Sequence, residues 1–386
     1  MIGPFIKKTI STLRISPIGL VPKKSGFHLI THLSYPDKLS VNHFIDPEIC
    51  KVKYSSIDNV LDMISALGQK ALCAKMDICQ AFRLLIINPA DFDLLGIMFG
   101  GKYYVDKCLP MGCSISCSLF EKFATFVHWV VASKSVLETL DHYLDDFFFA
   151  GESFTQNCAK LMETFVEVCK ELGVPLAEDK TIGPTTQIRF LGMEIDTFLM
   201  VVRIPQDKLE RLKLMLLSII SKKRIALKEL VSVTRIMAFC STAISSSRAF
   251  IRRFYDLIAS VKNGNPYYSV CLNREVKEDA MVWLEFLEKI NGECYIPERY
   301  WITNEALELF TDSTGNALLG CGAYLSGHWV QYRWPSSWEN TEILTDITFL
   351  ELVPIVLSLI IWGPEFKNKK ILLHIDNQAL VSIINK

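Results

Sequence analysis

Two adjacent carboxylates, Asp145 and Asp146, interrupt an apolar stretch between Tyr143 and a run of three phenylalanines. Unpaired carboxylates are costly to bury, so this stretch cannot be an ordinary buried strand. It is typical of a tight hairpin that presents both carboxylates at its tip. A third carboxylate, Asp77, ends another apolar run at residues 71–76. Three carboxylates that converge from two strands are what a two-metal site for phosphoryl transfer requires. A set of ordinary turn aspartates is the alternative.

Composition limits the class of protein. The chain has 386 residues, half of them hydrophobic and 22% charged, which predicts two or three domains with buried cores rather than extensive disorder. The N-terminus lacks the long apolar core of a secretory signal, and the apolar stretch at residues 354–362 is too short to span a bilayer. We therefore expect an intracellular protein, in the cytoplasm or the nucleus, with no membrane partner.

Twelve cysteines are scattered through the chain, mostly inside apolar runs. This distribution favours buried reduced thiols over a disulfide framework. Cys113 and Cys117 lack the paired spacing of a zinc site, so we expect no zinc.

The charge is unevenly distributed although the net charge is only −1. Residues 203–262 contain thirteen Lys or Arg and four Asp or Glu, a net of +9, so the rest of the chain carries −10. A basic helical segment beside an acidic catalytic region is typical of a protein whose substrate is a polymer of phosphates. A solvated helix face is the alternative for any single lysine.

Periodicity and turn residues predict the elements that position these carboxylates. A hairpin at residues 15–33 turns at Gly26 and carries Lys23 and Lys24 at its tip, where they are placed to meet phosphates or simply to solubilise a surface hairpin. The other predicted strands are 71–76, 84–87, 103–109, 190–195, 200–204, 307–310, 320–324, 329–334 and 370–375. The predicted helices are 56–67, about 114–131, 153–172, 206–260, 276–290, 348–362 and one that begins at 378.

The motifs resemble, in their order along the chain, those of retroelement reverse transcriptases. They are Asp77 with Ala81 and Phe82, residues 109–112, residues 143–146, Lys180, and residues 190–192. The region after Leu309 resembles a retroelement ribonuclease H domain, with Asp312, Glu351 and Asp376. Residues 32–36, His142 and residues 349–352 are most similar to DIRS-type retrotransposons.

The resemblance covers nearly the whole chain and implies an α+β fold. It implies a right-hand polymerase of fingers, palm and thumb followed by a truncated ribonuclease H-like α/β domain. The implied domains are fingers and palm at residues 1–202, a basic helical thumb at 203–262, a connection at 263–304, and a C-terminally incomplete ribonuclease H-like domain at 305–386.

The resemblance also implies roles for the polymerase residues. Asp77 and Asp145, supported by Asp146, would hold two Mg²⁺ ions, with Mn²⁺ as the alternative metal. Lys180 would protonate or neutralise the pyrophosphate leaving group; a solvated lysine is the alternative.

Other residues would bind the nucleotide or the primer. Phe82 would be a steric gate against a 2′-hydroxyl, or else a core phenylalanine, and Gly112 would allow close approach of the backbone. Lys23 and Lys24 would contact the triphosphate. Two positions depart from the family: Met111 stands where glutamine is common, and His28 where arginine is usual. Phe190, Leu191 and Gly192 would begin a primer grip that extends to Glu194; an ordinary β-hairpin has the same backbone.

Asp312, Glu351 and Asp376 would hold the two metals that cleave RNA in an RNA–DNA hybrid. The sequence ends at Lys386, before the fourth acidic residue that this family normally carries, so we expect weak or absent ribonuclease H activity. The implied partners are an RNA template, a DNA primer, an RNA–DNA hybrid and deoxynucleoside triphosphates.

Three functions compete. The first is an RNA-directed DNA polymerase of a retrotransposon. The second is an inactive or domesticated relic that binds nucleic acid without polymerising, which His28 favours and the complete set of polymerase carboxylates opposes. The third is an RNA-dependent RNA polymerase, against which Phe82 and the ribonuclease H-like segment argue. The sequence leaves the oligomeric state open.

Overall fold

The structure, a computed structural model, describes residues 1–22, 26–261, 264–289, 293–296, 306–366 and 369–385. The chain divides into a first unit, residues 1–299, and a second unit, residues 300–386. Lys23, Lys24 and the predicted boundary between residues 304 and 305 lie outside the described residues.

The first unit combines short strands with longer helices. Its described strands are β1 (Ile2–Phe5), β2 (Ile18–Pro22), β3 (Phe27–Thr31), β4 (Leu72–Asp77), β5 (Gly96–Phe99), β6 (Lys102–Val105), β7 (Leu140–Tyr143), β8 (Asp146–Gly151), β9 (Ile182–Thr185), β10 (Gln187–Phe190), β11 (Met193–Asp196), β12 (Val201–Arg203), β13 (Arg224–Ala226), β14 (Ser269–Cys271) and β15 (Glu293–Tyr295). Its described helices are α1 (Ile57–Leu67), α2 (Ser116–Ser135), α3 (Asn157–Leu172), α4 (Gln206–Ser221), α5 (Leu227–Cys240), α6 (Arg252–Ala259) and α7 (Arg274–Lys289).

An antiparallel sheet carries the three aspartates. Its strand order is β7-β8-β4-β9, and we call it the aspartate sheet. The predicted strand at residues 71–76 and the predicted hairpin at residues 143–146 are both confirmed. They are neighbours in this sheet, because β8 pairs with β7 on one side and β4 on the other.

The aspartate sheet is buried on both faces, which explains the uninterrupted apolar run in β8. Phe147 and Phe149 point to one side and pack against Phe165 of α3, with ring centroids 4.6 and 5.2 Å away. Phe148 points to the other side, where its ring lies 5.0 Å from that of Phe190. Side chains alternate between faces along a strand, so an apolar residue is needed at every position when both faces are covered.

A second antiparallel sheet, of order β10-β11-β12-β15, follows the aspartate sheet in the chain. Its inner residues join the largest apolar core of the first unit, to which α4, α5 and α7 contribute Leu212, Leu230 and Trp283. The helices that carry most of the basic residues are therefore amphipathic, with one face in this core.

Several predicted elements were wrong in extent or type. The predicted strand at 84–87 is a 3-10 turn, Ala81–Leu84, followed by a single bridge between Ile86 and Cys108. The predicted strand at 103–109 stops at Val105, because Asp106 turns its buried carboxylate to Arg83, which donates to it at 2.6 and 2.7 Å.

The predicted helix at 206–260 is broken in two places. Strand β13 interrupts it and pairs with β14, and the segment Ser245–Ile251 is a 3-10 helix. Part of the basic charge in this region also has a structural use, since Arg203 contacts the buried Asp196 and Arg253 contacts the buried Asp279.

The second unit is a four-stranded sheet with a helix packed on it. Its elements are β16 (Ala306–Ser313), β17 (Cys321–Leu325), β18 (His328–Tyr332), α8 (Ile347–Phe366), β19 (Lys370–His374) and α9 (Gln378–Ile384). The strand order is β18-β17-β16-β19, with β16 and β19 parallel and the other pairs antiparallel.

Helix α8 is longer than the apolar stretch predicted at residues 354–362. With 20 residues, it is the one helix among the described residues that is long and apolar enough to cross a membrane by length and composition. The argument that the apolar stretch is too short to span was therefore wrong. However, α8 buries a carboxylate, Glu351, together with Leu350 and Trp362. One face of α8 packs on the sheet, and the other face exposes apolar side chains such as Leu359 and Ile360.

Asp196 anchors the turn between β11 and β12. Its side chain is only 2% exposed and accepts hydrogen bonds from the Gln187 side chain (2.8 Å), the Phe198 and Leu199 backbone N–H groups (3.0 and 2.9 Å) and Arg203 (3.1 Å). Burial raises the pKa of Asp196, but the hydrogen bonds from Leu199, Arg203 and Gln187 together lower it below its ordinary value.

We predict that Asp196→Asn lowers the free energy of unfolding at pH 7 by about 1–3 kcal/mol, because charge-assisted hydrogen bonds are lost. A depressed pKa stabilises the fold above the unfolded pKa, about 3.9, and that stabilisation disappears as the pH falls through the folded value. The difference between wild type and variant in urea unfolding should therefore shrink as the pH is lowered below 4. The control is Asp256→Asn, an exposed carboxylate of α6; a pH-independent difference for Asp196→Asn would contradict the assignment.

Candidate active site

Backbone pairing brings Asp77, Asp145 and Asp146 to one edge of the aspartate sheet. Asp77 ends β4 and lies opposite Asp146, the first residue of β8. Directly opposed residues in an antiparallel pair share a face, with Cβ atoms roughly 4.5–5.5 Å apart. Asp145 lies in the two-residue turn between β7 and β8, and its carbonyl accepts a hydrogen bond from the N–H of Ile78 at 2.9 Å. The convergence predicted from the sequence is present.

The turn that carries Asp145 holds backbone strain. Leu144 has φ +54°, in the left-handed region that residues with a bulky side chain rarely adopt. Two-residue hairpins need a positive φ in the turn, which glycine or asparagine usually supplies. A strained backbone conformation persists where the surrounding structure holds it in place, and here the pairing of β7 with β8 holds Leu144.

The surroundings of Asp145 and Asp146 disfavour the charged form of both carboxylates. Burial raises the pKa of Asp145, and the negative charge of Asp77 raises it further. Burial also raises the pKa of Asp146 to about 6, with Lys75 opposing the shift and Asp77 adding to it. Within the described residues, Asp146 Oδ1 is buried without a hydrogen-bond partner. Burial is the main cause of both shifts, and the charge of neighbouring carboxylates adds to it.

Lys180 supplies one cation at this edge. Its ammonium Nζ lies 2.8 Å from Asp77 Oδ1, and this hydrogen bond raises the pKa of Lys180. The backbone fixes the approach, because the Ala177 N–H donates to the Asp77 carbonyl at 2.9 Å and the Lys180 N–H donates to the Ala177 carbonyl at 3.1 Å. The side chain of Lys180 remains 56% exposed, so it can also meet a ligand.

The donor set fits a hard divalent cation. Three carboxylates offer oxygen ligands, one of these oxygens is buried and unpartnered, and burial together with the Asp77 charge raises the pKa of Asp145 and of Asp146. Mg²⁺ is bound in proteins by a few carboxylates together with water and phosphate oxygens.

Gly112 is required by its own surroundings. Its φ is +108°, and a Cβ there would lie 2.1 Å from the carbonyl oxygen of Thr31. The Thr31 N–H donates to the Met111 carbonyl at 3.0 Å, and the Asn42 side chain donates to the Gly112 carbonyl and accepts from the Ser114 N–H, both at 2.9 Å. The loop before α2 is thus held against the end of β3, with the Met111 side chain exposed.

The remaining residues predicted to bind the nucleotide lie on different elements. Phe82 is half-buried in the turn after β4, where its ring meets that of Phe120 edge-on at 5.5 Å. His28 lies on the exposed strand β3 opposite Val21 of β2. No contact between His28 and the aspartates occurs among the described residues. Lys23 and Lys24, next to this hairpin, lie outside them.

The predicted primer grip is a tight hairpin between β10 and β11. Phe190 is buried, and Leu191 and Gly192 form the turn with φ +44° and +77°. Lys208 of α4 donates to the Gly192 carbonyl at 3.1 Å, while its ammonium lies 3.9 Å from the centroid of the Phe239 ring. A basic side chain is therefore fixed directly behind the turn.

A second carboxylate cluster lies in the second unit. Carboxylate oxygens of Asp312, Glu351 and Asp376 all lie within 4.8 Å of one another. Burial raises the pKa of Glu351, the charges of Asp376 and Asp312 raise it further, and Ser313 opposes the shift. The convergence predicted from a strand, a helix and the end of another strand is present.

Residues 22–195, just under half of the chain, match the family model of reverse transcriptases (RNA-dependent DNA polymerases). The matched segment includes Asp77, Asp145, Asp146 and Lys180. This segment is a reverse transcriptase domain.

Two viral proteins are among the relatives of this domain. Protein P of duck hepatitis B virus (strain China) is 31% identical over 139 residues, 36% of this chain and 17% of that protein. The genome polyprotein of Petunia vein clearing virus (isolate Shepherd) is 27% identical over 154 residues, 40% of this chain and 7% of the polyprotein. The chain thus matches only a small part of the length of these relatives.

The fold of the chain is that of a polymerase. A foamy viral protease-reverse transcriptase, solved in complex with double-stranded DNA, superposes with a TM-score of 0.57 at 15% identity and covers 96% of this chain and 60% of its own. A structure of the foamy viral enzyme with an RNA/DNA hybrid gives a TM-score of 0.53 at 18% identity, over 90% and 43% of the two chains. Identities this low show likeness of fold alone.

Sequence reasoning missed residues that support the reverse transcriptase domain and its neighbouring hairpin. Asn42 ties the Gly112 loop, Arg83 with Asp106 fixes the turn after Phe82, and Lys208 backs the Gly192 turn. Asn42 carries no signal in the sequence, since its role depends on a contact with a residue 70 positions away. The sequence marks Lys208 only as one of the basic residues at 203–262.

We predict that Gly112→Ala destabilises the reverse transcriptase domain by about 1–3 kcal/mol, because alanine is strained at this φ and its Cβ would clash with Thr31. The urea midpoint followed by circular dichroism measures this. Gly19→Ala is the matched control: it lies on β2 with nothing within 4 Å of its added Cβ, so its effect should stay within about 0.5 kcal/mol. Equal midpoints for the two variants would show that the close approach to Thr31 is not a constraint in solution.

Proposed function

We propose that this chain is an RNA-directed DNA polymerase that extends a DNA primer on an RNA template with deoxynucleoside triphosphates. The observation that carries the proposal is the convergence of Asp77, Asp145 and Asp146 beside Lys180 within a reverse transcriptase domain. Nucleotidyl transfer depends on positioning and on charge stabilisation, and this edge of the sheet offers both.

Asp77, Asp145 and Asp146 would hold the divalent cations, Mg²⁺ or alternatively Mn²⁺. When bound, the cations neutralise the triphosphate and make the primer 3′-oxygen a better nucleophile. Asp77 and Asp146 are held by the pairing of β4 with β8, and Asp145 lies in the two-residue turn that joins β7 to β8. The pKa of Asp145 and of Asp146 is raised by burial and by neighbouring carboxylate charge, and a bound cation would offset both effects.

Lys180 is the group that would meet the leaving pyrophosphate. It is positively charged, half-exposed, and attached by backbone hydrogen bonds to the strand end that carries Asp77. In transferring its hydrogen bond from Asp77 to a phosphate oxygen, its ammonium group would neutralise the charge that develops there or donate a proton to it.

The turn at Leu191 and Gly192 would support the primer. Lys208 is held behind the turn, and the exposed arginines of the following helices, including Arg211 and Arg235, offer further contacts to phosphates. A backbone-tracking basic surface binds nucleic acid without regard to sequence.

Phe82, Met111 and Gly112 would face the incoming nucleotide, with Phe82 excluding a 2′-hydroxyl. Phe82 packs by its edge on Phe120, an arrangement that fits both a steric gate and a core residue. The nucleotide roles of Lys23, Lys24 and His28 are proposed from their positions in the family pattern alone.

We predict that Asp145→Asn abolishes primer extension on an RNA template with Mg²⁺ and deoxynucleotides, by at least about 100-fold, since several kcal/mol of transition-state stabilisation are lost. Binding of a fluorescent RNA–DNA hybrid should be retained. The matched control is Asp58→Asn, an exposed carboxylate of α1, which should extend like the wild type.

Two results would count against the polymerase. Extension that survives in Asp145→Asn would show that the carboxylates are not the metal site. A folded wild type that binds the hybrid without extending it would favour the relic, and His28→Arg would then test whether the departure at that position is the cause.

We also propose that the second unit is a ribonuclease H-like domain that acts on RNA–DNA hybrids. The cluster of Asp312, Glu351 and Asp376 supports this, because three carboxylates within 4.8 Å of one another are suited to divalent metal and an activated water. The parallel pairing of β16 with β19 accounts for the proximity of Asp312 and Asp376.

We predict that any Mg²⁺-dependent cleavage of the RNA strand of a hybrid falls by at least about 100-fold in Glu351→Gln and is unchanged in Asp145→Asn. Gel analysis of a labelled hybrid without deoxynucleotides separates this activity from polymerisation. Cleavage that persists in Glu351→Gln would assign it to another site or to a contaminating nuclease.

The origin of the chain is proposed to be a retrotransposon, most similar to the DIRS type. Residues 32–36, His142 and residues 349–352 support this origin. The viral relatives described above carry the same domain, so the domain itself does not separate a retrotransposon from a virus.

A further inference from the structure

A second group of metal-ligand side chains lies in the first unit, on elements next to the catalytic hairpin. His128 is on α2, and Asp141 and His142 are on β7, the strand that leads into Tyr143. A ring nitrogen of each histidine and a carboxylate oxygen of Asp141 all lie within 4.8 Å of one another. We call these three residues the histidine cluster; none of them belongs to the carboxylate set proposed to hold Mg²⁺.

The two histidines face each other through the same ring atom. His128 Nδ1 lies 2.9 Å from His142 Nδ1, and the His142 side chain is 9% exposed. Two lone pairs cannot approach this closely without a positive centre between them, so either one shared proton or one cation must occupy the space. The 2.9 Å separation fits an N–H···N hydrogen bond directly. A tetrahedral Zn²⁺ with Zn–N bonds of about 2.0–2.1 Å would hold the two nitrogens a few tenths of an ångström further apart.

The other nitrogen of His142 faces a carboxylate. His142 Nε2 lies 3.3 Å from Glu121 Oε1, and both His142 Nε2 and Glu121 Oε2 are buried without a hydrogen-bond partner. A metal-bound histidine characteristically directs its second N–H to a carboxylate, which sets the tautomer and strengthens the ligand. Glu121 Oε1, at 3.3 Å, is near enough to receive this N–H after a small adjustment. With Nε2 protonated, His142 Nδ1 would present a lone pair toward His128.

Hydrogen bonds also fix the orientation of the Asp141 side chain. The Ser55 hydroxyl donates to Asp141 Oδ2, and the His142 N–H donates to Asp141 Oδ1 at 2.8 Å. In the described part of the chain, neither Asp141 nor Glu121 forms an ion pair with a lysine or an arginine. Two carboxylates in a half-buried pocket thus have only histidines as potential cationic partners.

We propose that His128, Asp141 and His142 bind one divalent transition metal, of which Zn²⁺ suits the donor set best, with Glu121 positioning His142. Imidazole nitrogens select Zn²⁺ and similar ions over Mg²⁺, and two histidines with one carboxylate are a recurrent ligand set. The expectation of no zinc was based on cysteine spacing, whereas this site contains no cysteine.

A metal here would join helix α2 to strand β7. The cross-link would lie one residue before Tyr143, so it would brace the hairpin that presents Asp145 without touching the substrate. Its role is structural, and it does not depend on the proposed polymerase activity.

Cobalt is the probe that tests the site. The full chain, untagged and freed of metal by a chelator, is titrated with Co²⁺ in excess Mg²⁺, which occupies the carboxylate clusters. The wild type should bind one Co²⁺ with the visible absorption of a four- or five-coordinate complex, and Zn²⁺ should displace it. Zn²⁺ should also raise the temperature of unfolding.

Variants separate the histidine cluster from other sites. His128→Gln and His142→Asn should each abolish the absorption, and Glu121→Gln should weaken Co²⁺ binding about 10-fold or more. His328→Gln, an exposed histidine in the second unit, is the matched control and should bind like the wild type. Circular dichroism checks the fold of each variant. Because His128 is only half-buried, His128→Gln tests the site even if His142→Asn does not fold.

Two outcomes would overturn the proposal. The first is a folded wild type that gives no visible Co²⁺ absorption and no Zn²⁺-dependent change in unfolding temperature, which would leave a hydrogen-bonded histidine pair. The second is binding that is unchanged in His128→Gln and Glu121→Gln, which would place the metal elsewhere.

Discussion

The pairing of β4 with β8 is the interaction on which the proposed catalytic site depends. It sets Asp77 opposite Asp146, and the two-residue turn before β8 adds Asp145. The pairing is held by burial on both faces, since alternate phenylalanines of β8 enter two different apolar cores. A shift of register by one residue would exchange these faces and separate the carboxylates. The apolar run therefore fixes the polar geometry.

That geometry stores electrostatic free energy. Burial raises the pKa of both Asp145 and Asp146, and Lys180 contacts Asp77 rather than either of them. An apolar core could have closed over this edge at less cost to folding. The arrangement is reasonable for a protein that gains the missing positive charge on binding a cation, because binding to the folded state alone adds to its stability.

The elements nearest the aspartates could be predicted because their patterns are local. The apolar run at residues 71–76 ends in a charged residue, and the Asp145–Asp146 pair interrupts a second apolar run. Both strands can therefore be predicted from the sequence. Strand β13 was not, because three residues in a basic segment show no alternation and their partner β14 lies more than 40 residues later. His128 and His142 likewise lie on a helix and a strand, and only the packing of α2 beside β7 brings their rings together. Features that depend on contacts between elements distant in the chain produce no periodic pattern in the sequence.

The second unit reaches a similar arrangement by a different topology. Parallel pairing places Phe310 opposite His374, and their rings are stacked with centroids 4.1 Å apart. Asp312 lies two residues further along β16, and Asp376 lies two residues past the end of β19. Helix α8 then adds Glu351 from its buried face. Burial and the two neighbouring carboxylates raise the pKa of Glu351, and no basic side chain among the described residues opposes that shift. Carboxylates thus lie close together at a hairpin end in the first unit and at parallel strand ends in the second. Nearby lysines and arginines neutralise only part of this negative charge. A divalent cation is the kind of ligand that could neutralise the rest.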